Sequence, residues 1–94
     1  MRRKKRHHDS IMPKKRYSWM RLGDLPSGRK GIVRRLRGGG ALTSRLTAMG
    51  ISLGAELVVV QNFGRGPIII KVRNTRVALG RGEAAHIRVE AIDE

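Results

Sequence analysis

Residues 56–79 read ELVVVQNFGRGPIIIKVRNTRVAL, and the punctuation of this stretch decides the fold. Two short apolar runs, Leu57-Val58-Val59-Val60 and Pro67-Ile68-Ile69-Ile70, flank a loop that carries Gly64 and Gly66. Runs of this length, rich in β-branched residues and bounded by turn residues, are the strands of a hairpin. Only Arg73-Asn74 separates the second run from Thr75–Leu79. Asn tolerates the left-handed backbone of a tight turn, so a second hairpin follows directly, although the usual following glycine is missing. The stretch predicts three consecutive strands, 56–61, 68–72 and 75–79. With Lys71 facing water, alternation puts Ile68, Ile70 and Val72 inward and Ile69 outward. The same logic applied to Gln61 turns Val58 and Val60 in and leaves Leu57 and Val59 out. Val77 and Leu79 face inward.

Downstream, Gly80–His86 contains Glu83-Ala84-Ala85, one helical turn, and Ile87 to about Ala91 forms a last strand with Ile87 and Val89 inward. Upstream, Ala41–Met49 is the one convincing helix, because Leu42, Leu46 and Met49 recur at i, i+4 and i+7. Gly50 then fits the left-handed position that ends a helix. Gly38-Gly39-Gly40 is a flexible connection. Lys30–Leu36 is a first strand in which Ile32 and Leu36 share one parity. Arg34 lies between them on that parity, so either a bulge shifts the register or the strand breaks early. Leu25-Pro26-Ser27-Gly28 reads as a turn, and ordered structure starts near Tyr17, where Trp19, Leu22 and Leu25 supply the first core-sized side chains. The architecture expected is mainly β: a small barrel of about five strands, with one short helix between the first and second, over residues 17–94.

The 94 residues leave room for one domain, preceded by a basic tail. Residues 1–16 hold eight Lys or Arg against Asp9, a net +7 and half of the chain's +14. Such a tail is expected to be solvated and disordered, or to act as an arm toward an acidic partner, nucleic acid or anionic lipid. The absence of cysteine removes disulfides and thiolate metal sites. No run approaches the roughly 20 apolar residues that span a bilayer, and no signal-like segment follows the basic N-terminus, so a soluble protein is expected. Catalytic signatures are missing: no Gly-x-Ser-x-Gly, no Walker loop (Ser27–Gly31 is too short and wrongly ordered), no paired buried carboxylates. No cofactor motif is present. Candidate metal ligands reduce to His7, His8, Asp9, Met12 and a solitary, outward His86, too few for a defined site.

The order of Leu22, Leu25, Gly28, Gly31-Ile32, Arg45-Leu46, Met49-Gly50-Ile51 and Gly54 resembles the ferrous iron transport protein A (FeoA) domain. Gly66-Pro67-Ile68, Val72, Val77-Ala78-Leu79, Glu83-Ala84, Ile87 and Val89 continue the likeness, which covers about 19–90. The chain departs from the pattern at Leu53, often Pro, at Ser44, often basic, and at Gly66, commonly acidic. The resemblance implies an SH3-like barrel and a non-enzymatic, cytosolic accessory of bacterial ferrous iron uptake. Its partner would be the large membrane transporter FeoB, which carries a cytosolic GTP-binding domain; no catalytic residues carry over.

Two surfaces are candidates for partner binding. Arg34, Arg35, Arg37, Arg45 and Arg65 lie on or near loops and the helix and suit an acidic face. Outward Leu57, Val59 and Ile69 would form an apolar strip for a protein partner or for self-association, unless another segment covers them. The alternative function is nucleic-acid binding by a basic small barrel, which the charge favours. Against it stand the few rings available for stacking: Tyr17, Trp19 and Phe63.

Overall fold

A computed structural model of the chain describes residues 19–92. The tail 1–16, with His7, His8, Asp9 and Met12, lies outside the described residues, as does Tyr17. The described chain runs β1 (Trp19–Arg21), a 3-10 turn (Leu22–Asp24), β2 (Lys30–Leu36), helix α1 (Gly40–Ala48), β3 (Glu56–Gln61), β4 (Ile68–Val72), β5 (Thr75–Leu79), a helical turn α2 (Arg81–Ala84) and β6 (Ile87–Ile92). The six strands form one antiparallel sheet in the order β1-β6-β2-β3-β4-β5. No helix among the described residues is long and apolar enough to cross a membrane.

The mainly β architecture is as expected, with six strands rather than five. The added strand is β1, and the helix therefore lies between the second and third strands. Three residues are too few to show alternation. What makes β1 a strand is its pairing with β6, Trp19 opposite Glu90 and Arg21 opposite Arg88, across most of the chain.

Helix α1 forms as the apolar spacing predicts. Leu46 is fully buried, with Leu42 and Met49 packed against the core beside it. Gly50 follows at φ +95°, where an L side chain is strained, and Ile51 N–H returns to the Leu46 carbonyl at 2.9 Å to close the helix end. The Arg73-Asn74 turn has φ of 53° and 61°, the left-handed pair of a tight hairpin, achieved without glycine.

Two one-residue bulges set which side chains face the core. In β2, Val33 pairs with Val89 and Arg35 with Arg88, so Arg34 is the extra residue. Of the two outcomes open for this strand, the bulge is realised. It also separates Ile32 from Leu36: Ile32 pairs with Glu90 on the outer face, while Val33 and Leu36 turn inward opposite Val89 and Ile87. In β3, Val59 pairs with Ile70 and Gln61 with Ile69, leaving Val60 extra. That bulge cuts the parity link between Gln61 and the residues before it, and the expected orientation of β3 is reversed. Leu57 and Val59 are 1% and 0% exposed, in the core with Ile68, Ile70, Val72, Leu79, Ile87 and Val89. Val58 and Val60 are the half-buried outer residues.

The sheet closes at one end through polar contacts. The Asn62 side-chain amide donates to the carbonyls of Gly23 (3.0 Å) and Leu25 (2.9 Å). Arg81 donates from Nε to the Gly66 carbonyl (2.9 Å), from Nη1 to Gly23 (3.3 Å) and from Nη2 to Asn62 Oδ1 (2.6 Å). The turn after β1, the loop after β3 and the turn after β5 are thereby joined.

Two outcomes follow. Val59→Lys should destabilise the fold by at least about 3 kcal/mol, because it buries an unpaired charge, whereas Val58→Lys should cost under about 1 kcal/mol; urea melts would show the opposite order if the bulge at Val60 were absent. Asn62→Ala leaves two carbonyls and an arginine donor short of partners and should cost about 1–3 kcal/mol. Thermal melting would then fall by roughly 4–8 °C per kcal/mol, and an unchanged midpoint would show that the closure carries no weight.

Candidate functional site: a basic cleft on the outer face

The bulge at Arg34 also builds a surface. Without the extra residue, alternation would send Arg35 to the same side as Val33, into the core. With it, both Arg34 and Arg35 face out. Arg35 lies directly opposite Arg88 on β6, and Arg88 lies directly opposite Arg21 on β1. Three arginines thus form a row across three adjacent strands. Like charges directly opposed in a sheet are destabilising, on the scale of ~0.2–1 kcal/mol per pair.

Arg34, Arg35, Arg37 and Arg88 line one surface cleft together with Trp19. The Arg34 Nε–Glu90 Oε1 ion pair, 2.8 Å, neutralises one member. Arg88 donates from Nη1 to the Ala85 carbonyl at 2.8 Å, and Arg21 pairs loosely with Asp24 at 3.4 Å. Among the described residues, the guanidinium groups of Arg35 and Arg37 make no ion pair or hydrogen bond. The backbone of Arg37 is held, its N–H donating to the His86 carbonyl at 2.7 Å. The Trp19 indole Nε1 is enclosed and has no acceptor among the described residues.

The five arginines singled out from the sequence therefore divide. Arg34, Arg35 and Arg37 share the cleft. Arg45, on α1, is ion-paired with Glu83 of α2, whose other oxygen accepts from Gly80 N–H at 3.1 Å. Arg65 stands on the β3–β4 loop beside Phe63, which is 74% exposed. The apolar strip does not exist as drawn: Leu57 and Val59 belong to the core, and only Ile69 is on the outer side, half-buried. Sequence reasoning missed Arg88 and Trp19 as members of the cleft. Arg88 lies between inward Ile87 and Val89, so its outward direction was readable, but its neighbours depend on register. His86 is half-buried beside Gly38, and among the described residues no cluster of three or more His, Cys, Asp or Glu side chains is placed to hold a metal.

A small antiparallel barrel with one docked helix and an arginine-lined face defines a class of SH3-like module. A family model described as FeoA domain matches residues 20–91. The chain belongs to the FeoA family. It is 40% identical over 69 residues to a candidate Fe(2+) transport protein A of Methanocaldococcus jannaschii, covering 73% of this chain and 83% of that one. It is 35% identical over 74 residues, 78% of this chain, to a Porphyromonas gingivalis protein in which Fe(2+) transport protein A is fused to the transporter FeoB; the match covers 9% of that protein. A crystal structure of an iron uptake regulatory protein (FeoA) superposes with TM-score 0.75 at 35% identity, over 79% of this chain and 99% of that one. Stenotrophomonas maltophilia FeoA, solved with zinc and described as a prokaryotic SH3 domain protein, superposes with TM-score 0.67 at 29% identity over 76% and 89%.

The arginine row predicts a stability cost. Arg35→Thr should raise stability by up to about 1 kcal/mol, with the gain shrinking as salt screens the row. Denaturant melts at low and high salt would check this, and a destabilised variant would mean that Arg35 is held by contacts rather than strained by its neighbours.

Proposed function

We propose that this chain is a non-enzymatic accessory of ferrous iron transport that docks through its basic outer face on the cytosolic domain of a FeoB-type transporter. The observation that carries the reading is the Porphyromonas gingivalis relative, in which the two proteins are one chain. Fusion holds two modules at an effective concentration on the order of millimolar, which suits partners that work in contact.

The docking face is centred on Arg35 and Arg37, whose charges are not used within the described residues, with Arg34 at its border. Arg65 and the outer Ile69 can extend contact beyond it. Arg45 contributes less, because its guanidinium is already committed to Glu83. An acidic surface set against Arg35 and Arg88 relieves their mutual repulsion as it binds, so complementarity here gives rate and orientation as well as affinity. The same charge would attract nucleic acid, and salt separates the two readings. Phosphate-driven binding falls by orders of magnitude between about 50 and 200 mM salt.

Calorimetric titration of the chain against the cytosolic domain of its cognate transporter should give saturable binding that survives the higher salt. Arg35→Glu should weaken it by at least about tenfold, the loss expected of a charge-assisted contact, and Arg45→Ala by much less. Tight binding to duplex or single-stranded nucleic acid, with no signal from the transporter domain, would overturn the assignment.

A further inference from the structure

We infer that the cleft lined by Trp19, Arg35, Arg37 and Arg88 is a binding site for a phosphate group. This goes beyond docking on a transporter and is read on the chain alone, so the two can fail separately. Three features meet there. Arg88 on β6 is opposed directly by Arg35 on β2, and Arg37 lines the same cleft. Neither the Arg35 nor the Arg37 guanidinium has an ionic or hydrogen-bonding partner among the described residues. Trp19 lines the cleft as well, and its enclosed indole N–H has no acceptor among the described residues. The guanidinium groups left over are donors only, and the ligand they fit is an acceptor that carries negative charge; the enclosed indole serves as a neighbouring reporter rather than a contact.

The charge count favours phosphate over a single carboxylate. Glu90 is the carboxylate near the cleft, set opposite Trp19 in the sheet, and it is taken by Arg34. The remaining three guanidinium groups, from β6, from β2 and from the residue that follows β2, line the same cleft with three positive charges. A carboxylate offers one charge and two oxygens. A phosphate offers up to two charges and three or more acceptor oxygens, and guanidinium forks match its edges in bidentate fashion. The like-charge repulsion along the row is relieved when an anion enters the cleft, which favours the filled state. The backbone beneath it is rigid: β6 is paired on both sides, with β1 and with β2, and the Arg37 N–H is fixed to the His86 carbonyl.

Trp19 is the only tryptophan in the chain, so its indole N–H gives one resonance that reports on the cleft. It separates binding there from binding by the eight Lys or Arg of residues 1–16. The full chain would be titrated with pyrophosphate at fixed ionic strength. The indole resonance should shift saturably. Arg35→Gln and Arg88→Gln should each weaken that binding by at least about tenfold, while Arg76→Gln on β5 should leave it unchanged; circular dichroism would confirm that each variant is folded. A parallel arm would use vesicles with and without phosphatidylglycerol. Sedimentation with the acidic vesicles that is lost in Arg35→Gln would assign the phosphate to a lipid headgroup, and pyrophosphate binding without it would assign a soluble phosphate compound. The inference is overturned if the indole does not respond, if Arg76→Gln weakens binding as much as the cleft variants, or if a glutamate peptide of equal charge binds the cleft more tightly than pyrophosphate.

Discussion

The carbonyl of Gly23 is where the two edges of the sheet meet. It follows β1, one edge strand, and it accepts from Asn62 and from Arg81, which stands two residues after the other edge strand, β5. No strand pairing joins β1 to β5 in the sheet order. Side chains do it instead, and the choice of arginine matters, because its planar fork spreads donors over three nitrogens that serve Gly66, Gly23 and Asn62 separately, where lysine would gather its donors on one. Asn62 is used as fully. Its amide donates twice, and its carbonyl oxygen accepts from Arg81 and from Gly64 N–H. A domain this small has little core to spare, so a closure that satisfies its polar groups while joining both edges has a large share in holding the barrel together.

Within that closed sheet, two single-residue bulges decide what faces inward. The one at Val60 places Leu57 and Val59 in the core. The one at Arg34 lets two consecutive arginines share the outer face and turns Leu36 back toward the core. The second was half-legible in the sequence, because an arginine on an apolar parity requires either a bulge or a break. The first was not, since Leu57 to Val60 is apolar throughout and has no polar residue to mark the slip. The parity was anchored on Gln61, which stands beyond the bulge. The helix, the two hairpins and the last strand were legible because each has local chemistry: an i, i+4, i+7 stripe, an Asn in a two-residue turn, glycines in a loop. Strand β1 was not, because a three-residue strand exists only through its partner.

The site followed the same division. Arg34, Arg35 and Arg37 stand close together in sequence and were legible as a basic cluster. Arg88 and Trp19 join them only through the register of β6 with β2 and β1. Conversely, Arg45 had the same appearance in the sequence as the other arginines, and the structure pairs it with Glu83 while leaving its side chain exposed. Charge count alone therefore does not separate arginines that are ion-paired in the fold from those that are not. Of the three arginines that stand close together in β2 and just after it, Arg35 and Arg37 are the ones whose guanidinium groups the fold leaves without a partner among the described residues.

The account depends on this face, rather than the helix or the Phe63 loop, meeting the partner. Amide and indole chemical-shift mapping of the isotopically labelled chain, on addition of the unlabelled cytosolic domain of its transporter, tests that most directly. The predicted result is a contiguous set of perturbed signals at Trp19, Arg21, Arg35, Arg37 and Arg88, with the Gly40–Ala48 helix nearly silent. Perturbation confined to that helix or to the loop around Phe63, with the arginine row unmoved, would contradict it.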